Sequence, residues 1–400
     1  MKPKFRENII ITIESMQSII SMFLSPFLLV YFITVSLHGL ADLSLFRIAS
    51  YLVLPISCIV FAGFMKKHAL FSYRFGMILN AVILLCIIML QDDLVNWVYP
   101  IGIVSGAMLT FFWMPQSLFT ISEIDNKRRV IVEAKKQTAS AVIKIGAPIL
   151  LGLFITETNY TITACIILVC CLVQIIASFA LRPSDTVLKQ ESGQFRLNSF
   201  SRFWREKPLK LIWQYAFLRG WAIDGAAGEA IMVLLVYQIV QSDTGLGVSQ
   251  AVLSAILMII AWLYNRHAER LGVARTISYS GALAILSAGI MLVWPSATSI
   301  FTGFIVINTV IASIHRIFYL SKRYEITSIH HVTRNEIMNM NIWVEVFLNV
   351  GRTLSWIGLF IVAGYDSISM LIWYLFALVV INIGLGGVVL LRLNKEYIQT

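Results

Sequence analysis

The chain has 400 residues, of which 58% are hydrophobic and only 13% charged, with a formal charge of +10. Soluble domains carry about a quarter charged residues, so this composition excludes a soluble globular protein and points to a polytopic membrane protein. Cys58, Cys86, Cys165, Cys170 and Cys171 all fall in apolar segments, which excludes a disulfide framework in external loops.

The basic start MKPKFRENII is followed by an apolar stretch too long for a signal peptide. That stretch carries Glu14 and Gln17 and lacks a small-residue cleavage site, so it reads as a retained first helix. Twelve apolar spans are expected, at 8–36, 46–64, 69–90, 97–121, 138–156 and 160–181, then 211–240, 248–264, 276–293, 300–320, 341–362 and 368–391. Pro115 is expected to kink the fourth. Gly384, Gly386 and Gly387 in the twelfth read as close helix packing rather than a nucleotide loop.

The cations alternate between connections. The N-terminus, the even-numbered connections and the tail hold 26 of the 31 Lys and Arg residues. The odd-numbered connections hold Asp42, Asp92, Asp93, Glu157, Asp243 and Asp366, with Arg47 as their one nearby cation. By the positive-inside rule both termini are cytoplasmic. The charge of +10 follows from that rule and calls for no nucleic-acid partner.

The sixth connection is the longest and contains Pro183, Ser184, Asp185 and Gly193. It divides the chain into a six-helix bundle over 1–181, a cytoplasmic linker over 182–210 and a second six-helix bundle over 211–400. The run SFSRFWREKPLK near its end has two readings: an interfacial segment on anionic lipid, or an ordinary basic loop. The halves look like distant repeats, as in many transporters. An offset of 205 brings Glu14 onto Arg219, Gly146 onto Gly351 and Arg129 onto Arg334.

Ionisable residues inside the spans are unevenly spread. Glu14 is on the first span, Lys144 on the fifth, and Arg219, Asp224 and Glu229 on the seventh. His315 and Arg316 are on the tenth, Glu345 and Arg352 on the eleventh. Spans 3, 6, 9 and 12 have none away from their ends. Each such residue at a bilayer centre costs about 2.5–3.5 kcal/mol, so the charged spans are expected to face a wet interior and the other four to face lipid. On the eleventh span Asn341, Glu345, Asn349, Arg352 and Ser355 recur at steps of four, four, three and three, which puts them on one helix face. This is either a functional face or a structural network. On the seventh, five residues turn a straight helix by about 140°, so Asp224 points away from Arg219 and Glu229. Gly220, Gly225 and Gly228 surround it. Either the helix breaks there or another helix pairs with Asp224. A carboxylate that loses its cation and takes up a proton is the chemistry of a proton-coupled carrier. On these grounds the substrate- or proton-coupling candidates are Asp224, Glu229, Arg219, Lys144, Glu345, Asn349, Arg352, Glu14 and Arg316.

In this architecture of twelve spans in two halves, the chain resembles the major facilitator superfamily. In that family helices 3, 6, 9 and 12 are peripheral and the others border a central cavity. Its motif between helices 2 and 3 is matched in part by Gly63, Lys67 and Arg74–Gly76, without the acidic residue. A second copy keeps Asn265, Arg266, Gly272 and Arg275. The resemblance makes Gly63, Lys67, Arg74, Arg266, Gly272 and Arg275 candidate gating residues. Gly146-Ala147-Pro148 and Gly152 match in part the fifth-helix motif of antiporters, which favours export.

The fold class expected is thus an all-α polytopic membrane protein, with twelve helices in two pseudo-symmetric halves around a cavity. The function expected is secondary active transport of a small solute by alternating access, coupled to protons. The alternatives are a lipid or glycolipid flippase and a non-transporting receptor or scaffold on the same fold. An enzyme is not expected, because no His/Asp or Cys/His cluster marks a surface and His330-His331 lack clear metal partners. No cofactor or metal site is expected. The partners are a small-molecule substrate, protons and membrane lipids, and the protein is taken to be a monomer in the cell membrane.

Overall fold

A computed structural model of the chain describes residues 3–36, 38–123, 126–181, 204–222, 227–294, 298–329, 334–365 and 367–399. Among these, all regular structure is helical. The first span is α1 (Pro3–Met22), a π turn (Phe23–Phe27) and α2 (Leu28–Val35). The π turn carries Pro26, which has no N–H to offer the carbonyl four residues back in a regular helix. The second span is α3 (Gly39–Val60) with the short α4 (Ala62–Lys67). Then come α5 (Ala69–Leu90), α6 (Val98–Glu123), α7 (Asn126–Glu157) and α8 (Tyr160–Phe179). The second half holds α9 (Lys207–Ala222), α10 (Ala227–Val240), α11 (Asp243–Leu271), α12 (Val273–Val293), α13 (Thr298–Ile329) and α14 (Arg334–Ala363). It ends with α15 (Ile368–Val379), a second π turn (Val380–Gly386) and α16 (Gly387–Gln399).

Among the described residues, eleven helical runs are long and apolar enough to cross a membrane. One of them, Ala69–Gln116, has 48 residues. A straight helix of that length would reach about 72 Å, more than twice the roughly 30 Å hydrocarbon core. It turns back instead through a 3₁₀ segment, Gln91–Trp97, opened by Gln91 at φ 46°. α5 then packs against α6, so this run crosses twice and the crossings number twelve.

Several helices outrun the expected spans. α7 begins at Asn126 rather than near 138, α13 ends at Ile329 rather than near 320, and α14 begins at Arg334 rather than near 341. Lys136, Lys322, Arg323 and Arg334 therefore stand on helices and not in loops. Apolar windows locate the hydrocarbon crossing, whereas a helix ends where its backbone bonding ends. Charged residues halt the first and not the second.

The helices free of inner charge show how the bundle meets lipid. On α5 the exposed side chains Phe71, Phe75, Ile78, Val82, Leu85 and Met89 recur at steps of three and four. Tyr279, Leu283, Leu286, Ile290 and Val293 do the same on α12, and α8 has such a stripe from Ile162 to Phe179. Their opposite faces bury polar groups: Ser72 and Asn80 on α5, Thr163, Gln174 and Ser178 on α8, Ser287 on α12. A helix that is apolar outward and amide-bearing inward suits the edge of a membrane bundle.

The chain forms two compact units, Met1–Gln194 with Val240–Ala255, and Phe195–Ile239 with Ile256–Thr400. In unit 1, α1 packs on α7 and α8, α3 on α6, and α5 on α6 and α8. In unit 2, α9 packs on α14 and α16, α12 on α13 and α15, and α14 on α15. The pairings of helices 1 with 5 and 3 with 6 thus recur as 7 with 11 and 9 with 12, the mark of a duplicated unit. The first turns of α11 belong to unit 1, where Tyr160 Oη donates to Asp243 Oδ1 at 2.8 Å and the Thr156 and Thr244 hydroxyls meet at 2.9 Å.

Glycines set the closest approaches. A Cβ at Gly76 would stand 2.7 Å from the Phe111 carbonyl carbon, and one at Gly102 2.6 Å from the Phe46 carbonyl oxygen. At Gly220 a Cβ would overlap the Leu348 carbonyl, and at Gly351 the Phe217 carbonyl, so α9 and α14 touch backbone to backbone. Of the expected packing glycines of the last span, Gly384 and Gly387 make only ordinary contacts, at 3.6 Å or more, while a Cβ at Gly386 would stand 3.2 Å from Asn382 Oδ1 and 3.4 Å from the Tyr215 ring. Gly146, the repeat counterpart of Gly351, has nothing within 4 Å. Equal positions in the two repeats therefore do unequal packing work.

At the start of unit 2's first helix, Trp204, Trp213 and Phe347 stack in parallel, with centroids 5.6–6.0 Å apart. Lys210 Nζ sits 4.9 Å above Trp204. Trp204 of the basic run is thereby seated on α9 and α14. The rest of the linker, through residue 203, lies outside the described residues.

Candidate functional site

In unit 1 the inner charge sits where α1 meets α7. Lys136 Nζ lies 2.6 Å from Glu14 Oε1, with side-chain exposures of 5% and 18%. The sequence places Lys136 in a cytoplasmic connection; the structure corrects this to a buried α7 residue. An ammonium in such surroundings is tolerable because the carboxylate is at hand. Lys144, two turns further along α7, is exposed.

One turn from Glu14 lies an uncharged network. Gln17 Oε1 accepts from Asn80 Nδ2 at 2.9 Å and from Gln174 Nε2 at 3.1 Å. Gln174 also donates to the Ile13 carbonyl at 3.1 Å. The three side chains are 0–3% exposed, and they bind α1, α5 and α8 together. A search restricted to ionisable residues passes over amides, so it misses Asn80 and Gln174. Their signal is a lone amide in an otherwise apolar span.

Arg74, a gating candidate, donates from Nη2 to the carbonyls of Ser178 (3.0 Å) and Leu181 (3.2 Å) and lies 4.5 Å over the Phe179 ring. It caps the end of α8, whose last carbonyls have no partner within the helix. Replacing Arg74 by Gln is expected to lower unfolding stability by about 1.5–3 kcal/mol, the range for hydrogen bonds to charged groups. Arg74→Lys should recover only part of this, since an ammonium lacks the fork. Thermal unfolding of the purified protein checks it, and equal stability of all three forms would exclude the cap.

The other gating candidates are placed as follows. Gly63 and Lys67 are exposed, and Gly63 has nothing near a would-be Cβ. Gly272 has φ +67° and opens α12, a turn that favours glycine. Arg266 lies 5.7 Å over Trp262, and Arg275 is exposed.

Unit 2 gathers most of the candidates. Asn349, fully buried, donates from Nδ2 to the Glu345 carbonyl at 2.7 Å and reaches Glu345 Oε2 at 3.4 Å. Its Oδ1 accepts from Arg352 Nη1 at 2.9 Å. The predicted face of the eleventh helix is thus a bonded ladder, Glu345–Asn349–Arg352. Ser355, next on that face, accepts from the backbone N–H of Ala227, the first residue of α10. A Cβ on Gly228 would sit 3.3 Å from the Ala222 carbonyl, six residues back. A helix rising about 1.5 Å per residue would carry them much further apart, so α9 and α10 are not one regular helix. Asp224 falls between them and lies outside the described residues.

Arg219 is 8% exposed, with its guanidinium 5.6 Å over the Tyr319 ring. Tyr319 and Tyr215 are fully buried, their rings 4.7 Å apart. Arg219 lies within electrostatic range of Arg316 and Arg352, and Arg316 of Glu229 and Arg352. Arg316 and Glu229 are exposed, Arg352 and Glu345 partly so. His315 is buried, with Nε2 3.0 Å from Ser280 Oγ, which holds α13 on α12. The tyrosines do not stand out in the sequence, where they resemble ordinary core aromatics. Among the described residues no group of three or more His, Cys, Asp or Glu is placed to hold a metal.

Within each unit, the inner ionisable candidates lie on helices other than those with apolar outward stripes. That defines an integral multi-pass membrane protein with polar interiors. No family model and no curated protein matches the sequence. Solved structures do match over nearly the whole length. A point mutant of the nucleoside transporter NupG aligns at TM-score 0.72 and 11% identity, covering 98% of this chain and 99% of that one. A bacterial homologue of the iron transporter ferroportin, in an inward-facing state, aligns at 0.66 and 13%, covering 98% of each. A point mutant of the E. coli fucose:proton symporter FucP aligns at 0.63 and 13%, covering 100% of each. The chain has the fold of major facilitator transporters.

Proposed function

We propose that the protein is a secondary active transporter, in which a six-helix half over 1–181 and another over 211–400, joined by the 182–210 linker, alternate in access to a small solute. The observation that carries this reading is the partition of charge. Buried ionisable groups occupy α1, α7, α9 and α13, and the partly buried Glu345 and Arg352 lie on α14, while α5, α8 and α12 present apolar stripes. Ionisable residues inside membrane helices mark substrate and ion pathways and proton relays. The structurally similar proteins are a nucleoside transporter, a bacterial homologue of an iron transporter and a fucose:proton symporter. The protein acts in the cell membrane as a monomer with cytoplasmic termini. The helix-5 glycines favour export.

Proton coupling is assigned to the acidic candidates, with Asp224 first, because in the sequence it lies at the middle of the seventh span among Gly220, Gly225 and Gly228. Glu229 opens α10 and faces Arg316 electrostatically. In proteoliposomes screened with sugars, nucleosides and organic anions, a pH gradient is expected to drive accumulation of at least one class. Asp224→Asn should cut gradient-driven transport tenfold or more and spare solute exchange at equal pH. Full pH-driven transport by Asp224→Asn removes the coupling role. No movement of any solute class by the wild type removes the transport reading itself.

A further inference from the structure

We infer that the second π turn, α9 and α13 enclose a binding site for internal water, held by the Tyr215 hydroxyl, the Asn382 amide oxygen and His315 Nδ1. The site is independent of the transport reading, since it needs no solute.

Three unmatched atoms carry the inference. Tyr215 Oη, Asn382 Oδ1 and His315 Nδ1 are buried and have no hydrogen-bond partner among the described residues. Their side chains are 0%, 1% and 0% exposed. A buried polar atom is rarely left unmatched, and these three lie around one pair of neighbouring glycines. A Cβ at Gly386 would stand 3.2 Å from Asn382 Oδ1 and 3.4 Å from the Tyr215 ring. One at Gly387 would stand 3.8 Å from His315 Cε1, the ring carbon bonded to Nδ1. The π turn packs on α9 and α12, and α16 on α13, so the groups converge from separate helices. The first π turn has Pro26 to account for it, whereas the second, VINIGLG, has no proline. A π turn inside a helix is rare and is found most often at functional sites.

The bonding pattern selects the ligand. Ser280 Oγ donates its one proton to the Ile277 carbonyl at 3.1 Å. Toward His315 Nε2, 3.0 Å away, it therefore accepts. Nε2 then carries the ring proton, and Nδ1 of the neutral imidazole is an acceptor. Asn382 Oδ1 is a second acceptor, and the Tyr215 hydroxyl donates. The complement is a small neutral molecule with two donors and an acceptor, which is water. Buried water makes about three hydrogen bonds to groups of this kind. An anion has no proton for the two acceptors, and a bare cation leaves the Tyr215 proton unmatched. Tyr215 stands four residues before Arg219, and His315 adjoins Arg316. The water thus ties together the stretches of α9 and α13 that carry two coupling candidates, and it acts on them by position alone.

X-ray radiolytic labelling of the purified full-length protein tests the site, because ionised bound water oxidises the side chains it touches. Tyr319 is the internal control. It is fully buried, its ring lies 4.7 Å from that of Tyr215, and its hydroxyl already donates to the Ile212 carbonyl. Tyr215 is expected to be labelled several-fold faster than Tyr319, and Asn382→Leu to bring the two rates together. Should Asn382→Leu fail to fold, Gly386→Ala, whose Cβ crowds Asn382 Oδ1, carries the same comparison. Equal labelling of Tyr215 and Tyr319 in the wild type overturns the site. So does a Tyr215 rate that neither variant changes. Thermal unfolding gives a second readout. If water holds the hydroxyl, Tyr215→Phe should lower the midpoint by a few degrees, and by less once Asn382 is Leu. A midpoint that stays or rises in Tyr215→Phe means the hydroxyl is buried without a partner, and the water is withdrawn.

Discussion

Replacing Gly351 or Gly220 by leucine is expected to abolish the folded second unit. At either position a Cβ would overlap a main-chain carbonyl of the facing helix, Phe217 on α9 or Leu348 on α14. A side chain can escape a clash by changing rotamer, but a carbonyl in a helix cannot move without its helix. α9 and α14 would have to separate along their length. That would expose Trp213 and Tyr215, both fully buried, and pull Arg352 from its Asn349 partner. Ordinary overpacking costs about 1–3 kcal/mol. A backbone-to-backbone seam offers no partial relief, so a loss above about 4–5 kcal/mol, the rare and diagnostic class, is expected. Gly146→Leu, at the repeat-related position with nothing within 4 Å, should leave stability nearly unchanged. Yield of monodisperse protein on size exclusion, with its unfolding midpoint, compares the three. If Gly351→Leu is monodisperse and as stable as Gly146→Leu, the seam has been misread.

The second large effect belongs to the Glu14–Lys136 pair. Glu14→Gln removes the carboxylate from a 5%-exposed ammonium and leaves Lys136 charged in the packing of α1 against α7. Breaking a buried pair from one side costs about 3–5 kcal/mol, while replacing both partners by apolar groups is often neutral. Lys136→Met leaves Glu14, 18% exposed and better solvated, and should cost less than Glu14→Gln. The double variant should regain most of the loss. A double-mutant cycle on chemical unfolding reads the coupling directly. Additive single effects would show that the two charges do not depend on each other.

Much of the fold was open to reading along the chain. A span must be long and apolar because lipid offers its backbone no partners, and this rule acts on each segment alone. Hence the crossings, the lipid-facing role of spans 3, 6 and 9, and the face of the eleventh span could be read from spacing. The seventh span marks a limit. Its Asp224 turns away from Arg219 and Glu229 along a straight helix, which leaves two readings. What the sequence does not show is that Ser355, 128 residues further on, accepts from the Ala227 N–H.

The candidate site was legible as a list and not as a set of pairs. Glu14 is expected to share a cavity, and its partner proves to be Lys136, hidden among loop cations by a hydropathy window. Asn349 reads as one member of a stripe, and its bonds make it the link between Glu345 and Arg352. Asn80 and Gln174 carry no charge and draw no notice until folding buries them against Gln17.

The sequence by itself determined that this is an all-helical membrane protein of two repeated halves, with charge confined to particular helices. Burial in lipid is a property of a single segment, and a repeat is a property of order along the chain. The tertiary structure alone decided which charges meet and which glycines carry a seam. Those depend on side chains brought together from positions far apart in the chain, and no local pattern records the approach.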